Sequence, residues 1–314
     1  MLRYLDYIYM IYKEKSFTKA AEKLYISQPS LSATIKKLEK ELGYPIFERN
    51  GKEITPTYIG EKYIKAAEEI LVIKKNLENE VDDLLKLRRG NIILGSTTFI
   101  VSGVLPDLLK DFGKKYPDID VKILVEQSTI LHEKLEKGLV DIAIDNVTTL
   151  NPGCVHIPLL KEHILIGVPK DFSINDRLKE YQIPADKIRS NFCDYSQLPK
   201  IDISMLKEEE FLLLKSGNKM RQTAGSIFAE KNVSPHIRFE FDQLMTSISF
   251  AESGFGICFL TDTVLRYGGA CENIIFYQPD TDFGDRILYI MYRKNKYLSS
   301  AGGEFIDFLK WNCV

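Results

Sequence analysis

Apolar and polar positions recur with a helical period on both sides of a tight polar turn in residues 16–39, SFTKAAEKLYISQPSLSATIKKLE. The pattern predicts a first helix from Ser16 or Thr18 through Ala20-Ala21 to Leu24. A second opens at Ser27-Gln28-Pro29-Ser30, where Ser27 can cap and Pro29 sits in the first turn, its missing N–H costing nothing. Leu31, Ile35 and Leu38 follow at i, i+4 and i+7, one stripe able to pack on the first helix. The remaining face carries Gln28, Ser30, Ser32, Ala33, Thr34 and Lys36, short or amide side chains with few carboxylates. A helix–turn–helix needs this geometry, because its second helix enters the DNA major groove while its back packs on the first. An ordinary amphipathic hairpin of helices has the same pattern, so the downstream chain has to decide between them.

Asn50-Gly51, between Phe47-Glu48-Arg49 and Lys52-Glu53-Ile54-Thr55, is a strong hairpin signal, since both residues tolerate positive φ. It predicts a two-stranded wing with Arg49 and Lys52 near its tip, placed to reach phosphates or the minor groove. Thr57 to Arg88 then reads as one long helix. Ile70, Leu77 and Leu84 fall at sevens, with Ala67 and Val81 four residues after Tyr63 and Leu77; only Lys74 interrupts the seam. Such a seam suggests a coiled-coil partner, with Ile70, Leu77, Val81 and Leu84 at a dimer interface. Arg88-Arg89-Gly90 is the expected stop.

From Asn91 the period changes. Strands are expected at Ile92–Leu94, Val121–Val125, Val140–Ile144, His163–Val168, Phe211–Leu214, Gly256–Leu260 and Arg286–Tyr292. Helices are expected around Leu105–Phe112, Leu131–Gly138, Lys219–Asn232 and Leu244–Ser253. Alternating βα units imply parallel sheets covered on both faces, and about 225 residues in this style suit two small lobes better than one sheet.

The N-terminal residues resemble those of the LysR-type transcriptional regulators. The shared pattern is Ser16-Phe17-Thr18, Ala20-Ala21, Leu24, Ser27-Gln28-Pro29-Ser30-Leu31-Ser32, Ile35, Leu38-Glu39, Leu42-Gly43, Phe47-Glu48-Arg49, Thr57 and Gly60. Further marks are Leu105-Pro106, Tyr116-Pro117, Gly138 before Asp141-Ile142-Ala143-Ile144, and Gly254-Phe255-Gly256-Ile257. Two departures stand out: Ala33 sits where many members place an Arg, and Pro56 replaces the usual Leu before Thr57. The resemblance implies an N-terminal all-α winged helix–turn–helix over 1–60, a linker and dimerisation helix over 61–89, and a C-terminal two-lobed α/β domain over 90–314, like periplasmic binding proteins. Lobe I is expected at about 90–167 and 265–314 and lobe II at about 168–264, with crossing strands near Val168 and near Thr261–Arg266.

A cleft of that kind takes its ligand at strand C-terminal ends and helix N-termini, where unpaired N–H groups favour anions. Ser96-Thr97-Thr98, Gln127-Ser128-Thr129, Asp145-Asn146, Lys215-Ser216-Gly217-Asn218 and Phe241-Asp242-Gln243 all sit at such ends. The candidate effector-binding residues are therefore Ser96, Thr97, Thr98, Gln127, Ser128, Thr129, Asn146, Ser216, Gly217, Asn218 and Gln243, although each alone is also an ordinary helix cap.

Composition narrows the function classes. The net charge of −2 hides its distribution: residues 1–60 hold ten bases, Arg3, Lys13, Lys15, Lys19, Lys23, Lys36, Lys37, Lys40, Arg49 and Lys52, against seven acids. A small positive module suits phosphate contacts, and a dimer doubles it. No apolar run reaches the roughly 18–20 residues of a membrane span, and no signal-peptide pattern opens the chain. Five cysteines, none in CxxC spacing, point to reduced thiols. No GxGxxG, P-loop, GxSxG or HExxH is present, and His132, His156, His163 and His236 lack metal-ligand spacing. The expectation is a cytoplasmic bacterial regulator, not an enzyme, with no cofactor or metal and no membrane partner. It would bind double-stranded operator DNA as a homodimer or homotetramer, under control of a small polar or anionic effector. The alternative is a ligand-independent architectural regulator whose C-terminal domain only oligomerises. Residues 180–198 are longer than the family's usual connection and have no functional reading.

Overall fold

The computed structural model describes residues 4–48, 54–84, 90–147, 149–190, 193–268, 271–294 and 297–312. They form two compact units, one carried by residues 4–84 and the other by nearly all of 90–312. Arg49, Asn50, Gly51 and Lys52, the tip of the expected wing, lie outside the described residues, as do Arg88, Arg89 and Cys313.

The first unit contains α1 (Leu5–Glu14), α2 (Phe17–Lys23), α3 (Gln28–Leu42), β1 (Phe47–Glu48), β2 (Thr55–Pro56) and α4 (Tyr58–Leu84). Local chemistry explains the breaks. Ser16 Oγ accepts from Lys19 N–H and Ser27 Oγ from Ser30 N–H, capping α2 and α3. Gly43 closes α3 at φ 73°, a conformation open to glycine at no steric cost. Leu31, Ile35 and Leu38 of α3 are buried with Ile8 and Ile11 of α1, Ala20 and Ala21 of α2, and Tyr63, Ile64 and Ala67 of α4. β1 and β2 pair antiparallel, Phe47 opposite Pro56, so Pro56 is tolerated on a two-residue edge. Glu39 Oε1 accepts from Ile46 N–H at 2.9 Å, tying the end of α3 to the start of β1. The Thr57 hydroxyl donates to Pro45 O at 2.8 Å and accepts from Gly60 N–H at 3.0 Å. A Cβ on Gly60 would stand 2.1 Å from the Ile46 carbonyl oxygen, so only glycine lets α4 approach so closely. Glu39, Thr57 and Gly60 thus serve the scaffold.

The second unit runs β3 (Gly90–Ser96), a π-helical turn (Ile100–Val104), α5 (Leu105–Lys115), β4 (Ile119–Val125), α6 (Ser128–Lys137), β5 (Ile142–Asn146) and β6 (Cys154–Pro169). It continues with α7 (Ile174–Arg177), α8 (Ala185–Arg189), β7 (Lys200–Ile201), β8 (Glu210–Leu214), α9 (Lys219–Glu230), β9 (His236–Phe241), α10 (Leu244–Glu252) and β10 (Ile257–Thr261). The last elements are α11 (Asp262–Tyr267), β11 (Ile274–Pro279), β12 (Asp285–Arg293) and α12 (Ser300–Asn312). Gly90, expected as a helix stop, instead opens β3. Among the described residues no helix is long and apolar enough to cross a membrane.

Two sheets share one strand, in the order β4-β3-β5-β12-β6-β10-β8-β9, with β11 also on β6 and β7 on β11. The βα units are parallel as expected: β3 with β4 and β5, and β8 with β9 and β10. β6 and β12 run against their neighbours, which makes the sheets mixed. Both faces of each lobe carry a separate apolar core, Leu94 and Phe112 on one face of lobe I and Leu131 and Met291 on the other. In lobe II the pair is Phe211 and Phe259 against Leu260 and Phe276.

The crossings differ from the expected positions. Residues Cys154 to His163 of β6 pair with β12, whereas Ile164 to Pro169 pair with β10 and β11. The outward crossing is therefore at His163–Ile164, some residues before Val168, and the return lies between Pro279 and Asp285. Thr261–Arg266 instead ends β10 and forms α11, whose Val264 and Leu265 are buried in lobe II. The long 180–198 connection has a packing role: Ile183, Ile188, Tyr195 and Leu198 cover one face of the lobe II sheet.

Candidate DNA-binding surface and effector cleft

On α3 the stripe Leu31, Ile35 and Leu38 is buried, which turns the opposite face outward. Gln28, Pro29, Ser30, Ala33 and Lys36 are exposed there, and Ser32 and Thr34 are half-buried. No acid occurs between Gln28 and Lys37. Gln28 Nε2 donates to Ser32 Oγ at 3.0 Å, one turn on, which holds the amide along its own helix. Thr34 Oγ1 donates to the Ser30 carbonyl at 2.8 Å, so its hydroxyl serves the helix backbone. The resulting surface presents an amide, hydroxyls and a methyl, the groups that read base edges, beside the exposed ammonium groups of Lys36, Lys37 and Lys40.

The seam on α4 divides into two parts. Tyr63 and Ala67 belong to the first unit's core. Ile70, Leu77 and Val81 are 36%, 61% and 46% exposed, and Ile73, which does not fall at sevens with them, is 66% exposed. Ile73 stands three residues after Ile70 and fills the turn where a four-residue step met Lys74. Leu84 ends the described helix, and its side chain lies outside the described residues.

In the second unit a cavity of about 430 Å³ opens between the lobes. Thr97, Thr98, Gln127, Ser128 and Asn146 line it from lobe I, and Ser216, Gly217, Asn218 and Gln243 from lobe II. Two candidates do not reach it. Ser96 is fully buried and its hydroxyl donates to Ile144 O at 2.6 Å, a bond between β3 and β5. Thr129 is exposed on α6, one position beyond the residue that faces inward. Asn218 Oδ1 accepts from Met220 N–H at 2.8 Å, so the side chain both caps α9 and lines the cleft.

The sequence marks Asp145, Lys215 and Asp242 at strand ends but not how the charges of this cleft pair. Asp145, 1% exposed at the end of β5, accepts from Lys219 Nζ at 2.9 Å across the lobes, while His132 Nε2 lies 3.1 Å away. Asp145 Oδ1 also accepts from Asn146 N–H at 2.9 Å, and Lys219 donates a second bond to the Asn146 carbonyl. Burial alone would raise the Asp145 carboxyl; hydrogen bonds from His132, Lys219 and Ser128 outweigh it and hold the group below the usual carboxylate range. On Lys219 burial works to lower the ammonium, against the pull of Asp145.

A second pair forms the floor. Arg286 Nη2 and Nε lie 2.9 and 3.0 Å from Glu162 Oε2, and Thr263 Oγ1 donates to Glu162 Oε1 at 2.6 Å. Just behind, where β6 crosses, Asp262 Oδ1 accepts from His163 N–H at 2.9 Å and Asp262 Oδ2 pairs with Arg266 at 3.1 Å. Burial raises the Asp262 carboxyl despite those partners. Asp145 and Lys219 are 74 positions apart and Glu162 and Arg286 124 apart, so nothing local in the sequence marks either pair. Asp141, a carboxylate on the face that Asp145 shares by alternation, accepts from Ile93 N–H at 2.8 Å and is structural. Among the described residues no group of three or more His, Cys, Asp or Glu side chains is placed to hold a metal ion.

Comparison with known proteins shows the family of both units. The model for the bacterial regulatory helix-turn-helix protein of the lysR family matches residues 2–61, and that for the LysR substrate binding domain matches residues 86–313. The HTH-type transcriptional regulator YcgK of Bacillus subtilis is 28% identical over 310 residues, which cover 98% of this chain and 93% of that protein. The HTH-type transcriptional activator CmpR of Synechocystis is 26% identical over 294 residues, 94% of this chain and 90% of that protein. The fold is similar to that of full-length CbnR complexed with its target DNA, with a TM-score of 0.68 at 17% identity over 99% of both chains. It is also similar to the effector binding domain of QuiR in complex with shikimate, with a TM-score of 0.56 at 20% identity over 72% of this chain and 97% of that one. The chain belongs to the LysR family, transcriptional regulators that join a helix–turn–helix DNA-binding domain to an effector-binding domain and are not enzymes.

Proposed function

We propose that the chain binds operator DNA as a homodimer, or a dimer of such dimers, and that a small polar or anionic metabolite between the lobes controls the arrangement of its DNA-binding modules. α3 is the recognition helix in this reading. Gln28, Ser30, Ser32 and Ala33 approach base edges, with Gln28 on adenine and Ala33 against a thymine methyl, while Arg49 and Lys52 contact phosphate. Ile70, Leu77, Val81 and Leu84, together with Ile73, form the dimer seam.

The observation that carries the effector part is the lining of the cleft, where hydroxyl and amide groups from five strand ends, on both lobes, border one cavity. Its cations are already paired: Lys215 with Asp242 at 2.7 Å, Lys219 with Asp145 and Arg286 with Glu162. A ligand that bridges the lobes favours one separation of them, and its differential affinity for the two separations is what biases the DNA-binding state. That a domain of similar fold, in QuiR, is found with shikimate supports a small polar ligand.

The test begins with mass spectrometry of small molecules released from the purified chain, followed by calorimetry with the compound found. Thr97→Val keeps shape and removes one hydroxyl, so it is expected to lose about 1–3 kcal/mol of ligand affinity, with DNA binding unchanged. Equal affinity in Thr97→Val, Ser128→Ala and Asn218→Ala chains would place the site elsewhere and favour the ligand-independent regulator.

A further inference from the structure

The turn between α2 and α3 ends in a conformation its residue does not favour. Leu24 follows the last helical residue of α2, and Tyr25 after it has φ 55°. Tyr25 N–H donates to Glu22 O at 3.2 Å and Ile26 N–H to Ala21 O at 3.1 Å. These are the two bonds of a Schellman turn, and Tyr25 holds its left-handed position, normally a glycine's because a Cβ there meets the backbone. In the same unit Gly43 at φ 73° ends α3 and Lys15 at φ 49° ends α1.

Tyrosine brings nothing to the fold at this site in return. Its side chain is 96% exposed, while its neighbours Leu24 and Ile26 pack against the unit's core. A residue kept in a strained backbone state with its side chain in solvent points to a use outside the chain. Its place says which use. Tyr25 lies two residues before the Ser27 cap and three before Gln28, at the N-terminal end of α3, the end of a recognition helix that meets the bases. With α3 in the major groove, a phenol there would face the rim of the groove, where tyrosine hydroxyls donate to backbone phosphates.

We propose that Tyr25 is a DNA-backbone contact: its hydroxyl donates to a phosphate beside the bases met by Gln28, and its ring covers the adjoining deoxyribose. The inference rests on α3 as the DNA-facing helix. It explains why the α2 end carries a strained aromatic, a device that relaxing the turn with glycine would remove.

The experiment uses the full chain, a duplex selected in vitro against the wild-type protein, and a random duplex of the same length. Affinity is read by fluorescence anisotropy at several salt concentrations, and melting by calorimetry. Tyr25→Gly relieves the turn, so its melting temperature is expected to be unchanged or higher, which removes misfolding as an explanation. Its affinity for both duplexes is expected to fall about 5- to 50-fold, because a phosphate contact carries no base information. The salt slope stays as in wild type, since a neutral phenol displaces no counterion. Tyr25→Phe keeps the ring and is expected to fall between the two. A Tyr25→Gly chain that binds both duplexes as wild type does overturns the proposal and assigns the exposed ring to a protein partner. If Gln28→Ala still weakens the selected duplex alone in that assay, the reading of α3 survives the loss of Tyr25.

Discussion

Lys219→Met is expected to destabilise the C-terminal unit by about 3 kcal/mol, because it leaves the Asp145 carboxylate buried without its countercharge. The side chains are 18% and 1% exposed, so water screens this pair little. Asp145 keeps Asn146 N–H, Ser128 and the nearby His132, which holds the loss toward the lower end of the range for broken buried pairs. Asp145→Asn, Lys219→Met and the double variant form a cycle, and the double loss should fall short of the sum of the singles, as contacting partners require. Acid carries the same signature. The folded Asp145 carboxyl titrates below its unfolded value, so its contribution is fully present above about pH 4 and fades as pH falls through the folded value. Urea melts of Lys219→Met that differ from wild type by less than about 0.5 kcal/mol, the usual size for a surface change, would remove the pair from the account.

The second large effect concerns α4. Leu77→Asp together with Val81→Asp places four carboxylates in the seam of a dimer, at a cost of several kcal/mol. Light scattering is expected to show half the wild-type mass. Operator affinity should drop about 100-fold or more, since two modules held together bind far better than one. An unchanged mass would move the main self-contact away from this helix. The seam is placed on this 27-residue helix because Ile70, Ile73, Leu77 and Val81 are exposed along it.

The parts of the molecule legible in the sequence are those decided by neighbours. α2 and α3 are marked by Ser16, Ser27, Pro29 and Gly43, all within a turn of the ends they set. β3, β5, β8 and β10 are apolar runs bounded by turns, and α6 ends at Gly138 with φ 77° as its sequence suggests. What was not legible depends on partners far along the chain. The first half of β6, Cys154 to Lys161, contains Pro158 and alternates loosely, and only its pairing with β12 makes it a strand. The crossing at His163–Ile164 is a change of partner within one continuous strand, which no local residue announces. α12 begins Ser-Ala-Gly-Gly, a weak helix start, and is held by Phe305 and Phe308 against Phe112, with ring centroids 4.8 and 5.3 Å apart.

The site divides in the same way. A hydroxyl or amide at a strand end is visible in the sequence, and nine of the eleven such candidates line the cleft. Ser96 shows the limit of that rule, because whether a strand-end hydroxyl faces the ligand or the neighbouring strand depends on the carbonyl opposite, here Ile144. Lys219 sits one residue past the Asn218 cap, and nothing near it in the sequence marks it, since its partner Asp145 belongs to the other lobe.

The claim at the centre of this account is that α3 reads DNA sequence. Its most direct measurement is the affinity of wild-type and Gln28→Ala chains for an in vitro selected duplex and for a random one, at a single stated salt concentration. The account predicts that Gln28→Ala loses about 1–3 kcal/mol on the selected duplex and almost nothing on the random one. Equal affinities of the two chains for both duplexes, with an unchanged site preference, would contradict it.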